Sequence, residues 1–244
     1  HNERMVDFST ISPHLNVRIS PKAKRLALRL DAHAGRIDLV IPERASLKKA
    51  YKFAESNQHW IETKINALPQ PIPFTDGQSV PLLGKLHTIR IIKTGKKYTS
   101  INMIGDEIQV ETQLDDPSQR ITRFLRSYAE KELRKLADIK AATLNRTLSS
   151  FCVRDMKSRW GSCSTDGRMT LSWRLLFAPL EAIDYVVAHE SAHLTHADHS
   201  KKFWALCEGL SADYSTGKEW MRLNGIHLGR YGKSLAPSQE SPAE

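Results

Sequence analysis

The sequence predicts an α+β protein, and three observations carry that expectation. Short segments in residues 1–116 alternate apolar and polar side chains, the period of half-buried strands. After Asp116-Pro117 the apolar residues switch to a helical period. A third stretch, PLEAIDYVVAHESAHL from Pro179, is a strongly apolar helix that carries His189, Glu190 and His193 near its end.

Taken in order, RLALRLD and GRIDLVIP flank the turn-like AHAG and predict a hairpin. Ser46 is placed to cap one helix running through Leu68, with Ala50, Phe53, Ala54, Trp60, Ile61 and Ile65 on one side, and PQPIPFTDG stops it. KLHTIRII, SINMI and EIQVET are further strands, the last two joined at Gly105-Asp106. Asp116 is then an N-cap and Pro117 a first helical residue. Ile121, Phe124, Leu125, Tyr128, Leu133, Leu136 and Leu144 keep the helical period to about Leu148. The polar FCVRDMKSRWGSCSTDG leads into MTLSWRLL, where Met169, Leu171, Trp173 and Leu175 alternate with Thr170, Ser172 and Arg174 as on a strand with one buried face. Two shorter helices, near 201–210 and 215–224, follow the HESAH helix. The expected organisation is a mostly β N-terminal domain with one helix (1–116), a second α+β domain (117–232) and a disordered tail (233–244).

With 40% hydrophobic and 26% charged residues, the composition is that of a soluble globular protein. No run approaches the roughly 18 apolar residues of a membrane span, and HNERMVDFST has no signal-peptide core, so a cytoplasmic location without a membrane partner is expected. Cys152, Cys163 and Cys207 form no C-x-x-C pair, which argues against a disulfide framework or a cysteine zinc finger. The net charge of +9 is spread, with 17 basic and 13 acidic side chains in residues 1–118 and 19 and 14 in the rest. A spread excess describes a solvated face better than a phosphate track, so nucleic acid stays open as a partner on charge alone.

The chemistry gathers in VVAHESAHLTHADHSKKFW, residues 186–204. On a helix, His189 and His193 project from one face a turn apart and can share one metal ion. Glu190 lies about 100° round, beside that ion, where a carboxylate takes the proton of a water whose pKa zinc lowers toward about 7. Burying His and Glu in so apolar a helix without a ligand would leave polar groups unpaired. A catalytic zinc takes a third protein ligand. His196 shares the helical face, but on a continuous helix it stands roughly 10 Å along the axis from His189. His199 is better placed if the helix ends near Leu194, with Ser200 capping the next helix. The expected ligands are therefore His189, His193 and His199 around one zinc per chain, with His196 the second choice and Glu208 the third. Cys163 reads as a small buried residue, and Trp160, Trp173, Trp204 and Trp220 read as core.

RWGSCS (159–164), MTLSWRLLFAP, IDYVVAHESAHL, DHSKKFW and DYSTGKEW together resemble the YgjP-like metallopeptidase family, whose pattern runs RWGSCS, YVVxHELxHL, NHSxxFW. The resemblance is densest over residues 154–224. It implies a zincin-like second domain related to the SprT-like proteases, with His189, His193 and His199 as ligands and Glu190 as general base. It further implies that MTLSWRLL is the strand beside the active-site helix along which an extended peptide pairs, that Arg159 and Ser162 line the cleft, and that Tyr214 approaches it to stabilise an oxyanion. Two positions depart from the pattern: Ser191 stands where the family has Leu, and Asp198 where it has Asn.

The expected function is a zinc metallopeptidase in which Glu190 activates a zinc-bound water to attack a peptide carbonyl, with a peptide or protein as substrate. The alternatives are a metal-dependent nucleotide phosphohydrolase, which no Gly-rich phosphate loop supports, and a zinc-stabilised nucleic-acid or partner-binding module. Three His ligands with a glutamate adjacent count against a closed structural site. Oligomeric state is not encoded.

Overall fold

A computed structural model describes residues 6–32 and 34–234. Of the expected tail, residues 235–244 lie outside the described residues. The chain divides into two compact units between Gln70 and Pro71.

In the first unit, β3 (Arg36–Pro42) is the middle strand. It pairs antiparallel with β2 (Ala27–Asp31), which is the predicted hairpin, and parallel with β1 (Leu15–Ser20). β1 escapes the pattern because it is half-buried to exposed along its length and never alternates cleanly. Ile37, Leu39 and Ile41 alternate on β3 and are buried against Ala50, Ala54 and Ile61. The single helix expected from Ser46 to Leu68 is in fact two, α1 (Leu47–Ser56) and α2 (Gln58–Asn66). Ser46 caps α1 by accepting from the Lys49 amide, as expected. Asn57 makes the break: its side-chain amide donates to the Phe53 carbonyl while its ψ of 14° leaves the helical range. Trp60, placed on the buried side by the sequence, is 37% exposed.

The second unit opens with β4 (Ser79–Leu82), β5 (Lys85–Lys93), β6 (Ser100–Ile104) and β7 (Glu107–Thr112), in the order β4-β5-β7-β6. Leu82, Ile89, Ile108 and Val110 share one buried cluster with Ile121 and Leu125 of α3 (Ser118–Thr143). The boundary expected at 116–117 therefore falls inside a core, and the change of period there marks strand giving way to helix, not the edge of a unit. Along α3, Ile121, Leu125, Ala129, Leu133, Ala137 and Ala141 form the buried line, with Phe124, Tyr128, Leu136 and Leu144 flanking it. The helix stops at Thr143 rather than near Leu148, because Asn145 takes φ 54° and the Arg146 amide closes on the Ala141 carbonyl.

A three-stranded sheet follows, in which β10 (Arg168–Ser172) lies between β8 (Ser150–Arg154), parallel, and β9 (Gly161–Cys163), antiparallel. The strand expected through Leu175 ends at Ser172, whose hydroxyl accepts from the Arg174 amide and starts a 3-10 turn over Trp173–Phe177. Arg174 is consequently buried instead of facing out. Its guanidinium grips Asp155 at 2.8 and 3.2 Å and donates to the Tyr231 carbonyl at 2.7 Å.

Three helices complete the unit: α4 (Leu180–Ala192), α5 (Lys201–Leu210) and α6 (Tyr214–Asn224). α4 and α6 touch at Gly217, where a Cβ would stand 2.2 Å from the Glu181 carbonyl oxygen. Lys140 of α3 is buried and donates both to Asp184 of α4 and to the Leu210 carbonyl at the end of α5, tying the three together. Among the described residues no helix is long and apolar enough to cross a membrane.

Inside α4, Ser191 is fully buried and its hydroxyl has no hydrogen-bond partner among the described residues. An unpaired buried hydroxyl costs roughly 1–3 kcal/mol. Ser191→Ala is expected to raise the melting temperature by about 2–4 °C, taking the lower end of that range; an unchanged or lower midpoint in thermal denaturation would show that Oγ has a partner after all.

Candidate metal centre

α4 is an apolar helix whose last turn carries the site. Its inner residues Ile183, Val187 and Ala188 are buried, which fixes the rotation of the helix and brings His189, Glu190 and His193 to one end of the core. The helix ends at Ala192 with His193 as its C-cap, and the Arg146 guanidinium donates to the Leu194 carbonyl just beyond at 2.6 Å. The chain then turns back through residues 195–199 to Ser200, whose hydroxyl accepts from the Phe203 amide and starts α5.

That return places the third imidazole. Ligand nitrogens of His189, His193 and His199 all lie within 4.8 Å of one another, and Nε2 of His189 and of His199 are 3.2 Å apart. Two nitrogens on a tetrahedral zinc at 2.0–2.1 Å are separated by about 3.3 Å, a spacing the His189 and His199 pair already has. His196 does not contribute its ring. Its carbonyl instead takes the Nδ1 hydrogen of His193 at 2.9 Å, which leaves the other nitrogen of His193 free for a metal. Glu208 is exposed on α5 and stands outside the cluster.

Phe203, buried and invisible to a search for ligands, is the floor of the site. Its ring centroid lies 4.9, 4.6 and 4.7 Å from those of His189, His193 and His199. Trp204, read from sequence as core, stacks on His199 at 5.7 Å. This apolar packing has an electrostatic result: burial, then the neighbouring His193, His199 and Lys218, push His189 down to about 4. At neutral pH the imidazole is uncharged and its lone pair is available to a cation.

Glu190 is 6% exposed, and burial raises its carboxyl to about 7 against the opposing influence of Arg159. It rests on β9. A Cβ at Gly161 would meet Glu190 Cγ at 2.6 Å and Cδ and Oε1 at 2.8 Å, so only glycine leaves room for the carboxylate. Cys163, half-buried, has its thiol pushed up to about 12 by burial and by Glu190, and it stands outside the cluster of three imidazoles.

These groups line a cleft of about 660 Å³. Arg159 and Ser162 are among its lining residues, and so are Trp160, which the sequence reading had placed in the core, and Tyr185 and Lys218, which it did not single out. Tyr214 is not among the lining residues: its ring packs edge-on against Tyr185 and its hydroxyl accepts from Lys218 at 2.9 Å. The expected peptide-pairing strand is also corrected. β10 has β8 on one side and β9 on the other, so the sheet edge at the cleft belongs to β9.

An α+β unit with three imidazoles converging beside a buried carboxylate that has no hydrogen-bond partner among the described residues has the layout of a metal-dependent hydrolase. The family model described as YgjP-like, metallopeptidase domain, matches residues 24–224, and the chain belongs to that family. No curated protein and no solved structure matches the chain.

Proposed function

We propose that the chain is a zinc-dependent peptidase in which His189, His193 and His199 hold the ion and Glu190 is the general base. The observation that carries the reading is the pairing of a three-imidazole donor set with a desolvated carboxylate that is not part of it. A closed structural site uses four protein ligands and has no need of such a neighbour. When bound, zinc supplies Lewis acidity toward a carbonyl oxygen and toward water. The chain's own groups do the rest. Glu190 accepts the proton of the attacking water at its carboxylate and returns it to the leaving amine. Phe203 and Trp204 keep the ligand rings in place. The open edge of β9 offers main-chain donors and acceptors along which an extended peptide aligns its scissile bond with the ion. That edge favours a peptide over a nucleotide as substrate.

The test is elemental analysis of purified protein, joined to hydrolysis of a quenched fluorogenic peptide library and of nucleoside triphosphates. About one zinc per chain and peptide cleavage that a chelator abolishes are expected. No bound transition metal under metal-replete conditions, or hydrolysis of the triphosphates alone, overturns the reading.

A further inference from the structure

Three cations line the cleft, Arg159, Lys218 and Arg222, against the single carboxylate of Glu190. Charges of that sign beside the seat of a dication weaken metal binding by repulsion, so their presence there asks for an anion in the occupied cleft. Two of the three are already engaged. Arg222 holds Glu219 through Nε and Nη2 at 2.8 and 2.6 Å. Lys218 donates to the Tyr214 hydroxyl and lies over the Trp204 ring, 4.7 Å from its centroid.

Arg159 is different. It is exposed and forms no hydrogen bond or ion pair with any described residue. Although its charge acts on Glu190, no hydrogen bond joins them. It stands two residues ahead of Gly161, where the open edge of β9 begins. Exposed and lining the cleft, this guanidinium is accessible to a bound chain, and the group that matches its planar fork in a peptide is a carboxylate.

We infer that Arg159 binds a carboxylate of the substrate, so that the cleft selects acidic peptides. The inference rests on the peptidase reading in taking a peptide as the ligand. The carboxylate has two sources, an Asp or Glu side chain near the scissile bond and the peptide's own C-terminus, and the experiment separates them.

Binding is measured by fluorescence polarisation on the zinc-loaded full chain carrying Glu190→Gln, so the readout does not depend on turnover. The probes are fluorescein-labelled octapeptide mixtures with Glu or Gln fixed at a central position, each prepared as C-terminal acid and as C-terminal amide. The Glu mixtures are expected to bind about tenfold more tightly than the Gln mixtures, and adding Arg159→Gln reduces the difference to within about twofold. Arg159→Lys keeps part of it. A preference for acid over amide ends that is lost in the same way supports the inference and names the terminal carboxylate as the source. Equal binding of all mixtures, a preference that survives Arg159→Gln, or tighter binding of a nucleoside triphosphate than of any acidic peptide overturns it. Failure of the peptidase reading would be seen separately, as wild-type protein that cleaves no peptide.

Discussion

Glu190→Gln is expected to bind zinc as the wild type does and to lower kcat by about 10²- to 10⁴-fold, the range for loss of a positioned general base. The amide keeps the shape of the side chain, so Gly161 and the helix around it need not move. The three imidazoles are untouched, and metal stoichiometry holds. What is lost is the basicity of the carboxylate. Retained turnover would remove Glu190 from the chemistry, and lost metal would make it a ligand; both are read from kcat and elemental analysis on one preparation.

The same substitution has a consequence for stability in the metal-free protein. Glu190 is raised from 4.5 to about 7 by burial, so between those pH values the folded state binds the proton that the unfolded state has released. Stability from this group therefore falls as pH rises from 4.5 to about 7. His189 is lowered from 6.5 to about 4, so between about 4 and 6.5 the folded state binds fewer protons than the unfolded, and its contribution rises with pH. The two trends oppose each other across most of that window. Removing the carboxylate leaves only the rising one. Metal-free Glu190→Gln is thus expected to exceed metal-free wild type in stability above pH 7, by on the order of 3 kcal/mol, and to match it below pH 4. Denaturant titrations at pH 4 and pH 8 check this, and parallel curves for the two proteins would contradict it. A site that is less stable for holding its base is what a functional carboxylate in an apolar helix entails.

The site was more legible in the sequence than the fold around it. The clustering of His189 and His193 is legible in a spacing of four, and axial length sets His196 aside in favour of His199 once the helix ends near Leu194, because both are arguments about local geometry. Gly161, Phe203 and Lys218 were not legible, since what they do depends on which element packs against them: β9 against α4, α5 beneath the imidazoles, α6 across the cleft. The fold shows the same division. Strong periodicity located α3 and the hairpins, whereas the breaks at Asn57, Asn145 and Ser172 rest on single side-chain or backbone hydrogen bonds that no period records. The unit boundary was misplaced because a change of secondary structure and a change of core look alike along one dimension, and only the shared cluster of Ile108, Ile121 and their neighbours tells them apart.

Gly161→Ala is expected to keep the metal and lose about 10²-fold in kcat, the scale of a displacement of about 1 Å at the reacting groups. The added methyl cannot share space with Glu190, whose Cγ, Cδ and Oε1 would all lie within 2.8 Å of it. Either the carboxylate swings off its line or β9 moves outward, and both separate the base from the water it serves. The imidazoles sit on α4 and on the segment before α5, away from the new atom, so zinc content is the control that separates displacement from collapse. A double-mutant cycle then decides how the loss arises. If Gly161 acts through Glu190, adding Gly161→Ala to Glu190→Gln removes no further rate, since the proton acceptor is already gone. Losses that multiply would instead assign Gly161 to the shape of the substrate-binding edge, and the glycine would then owe its place to the peptide rather than to the base.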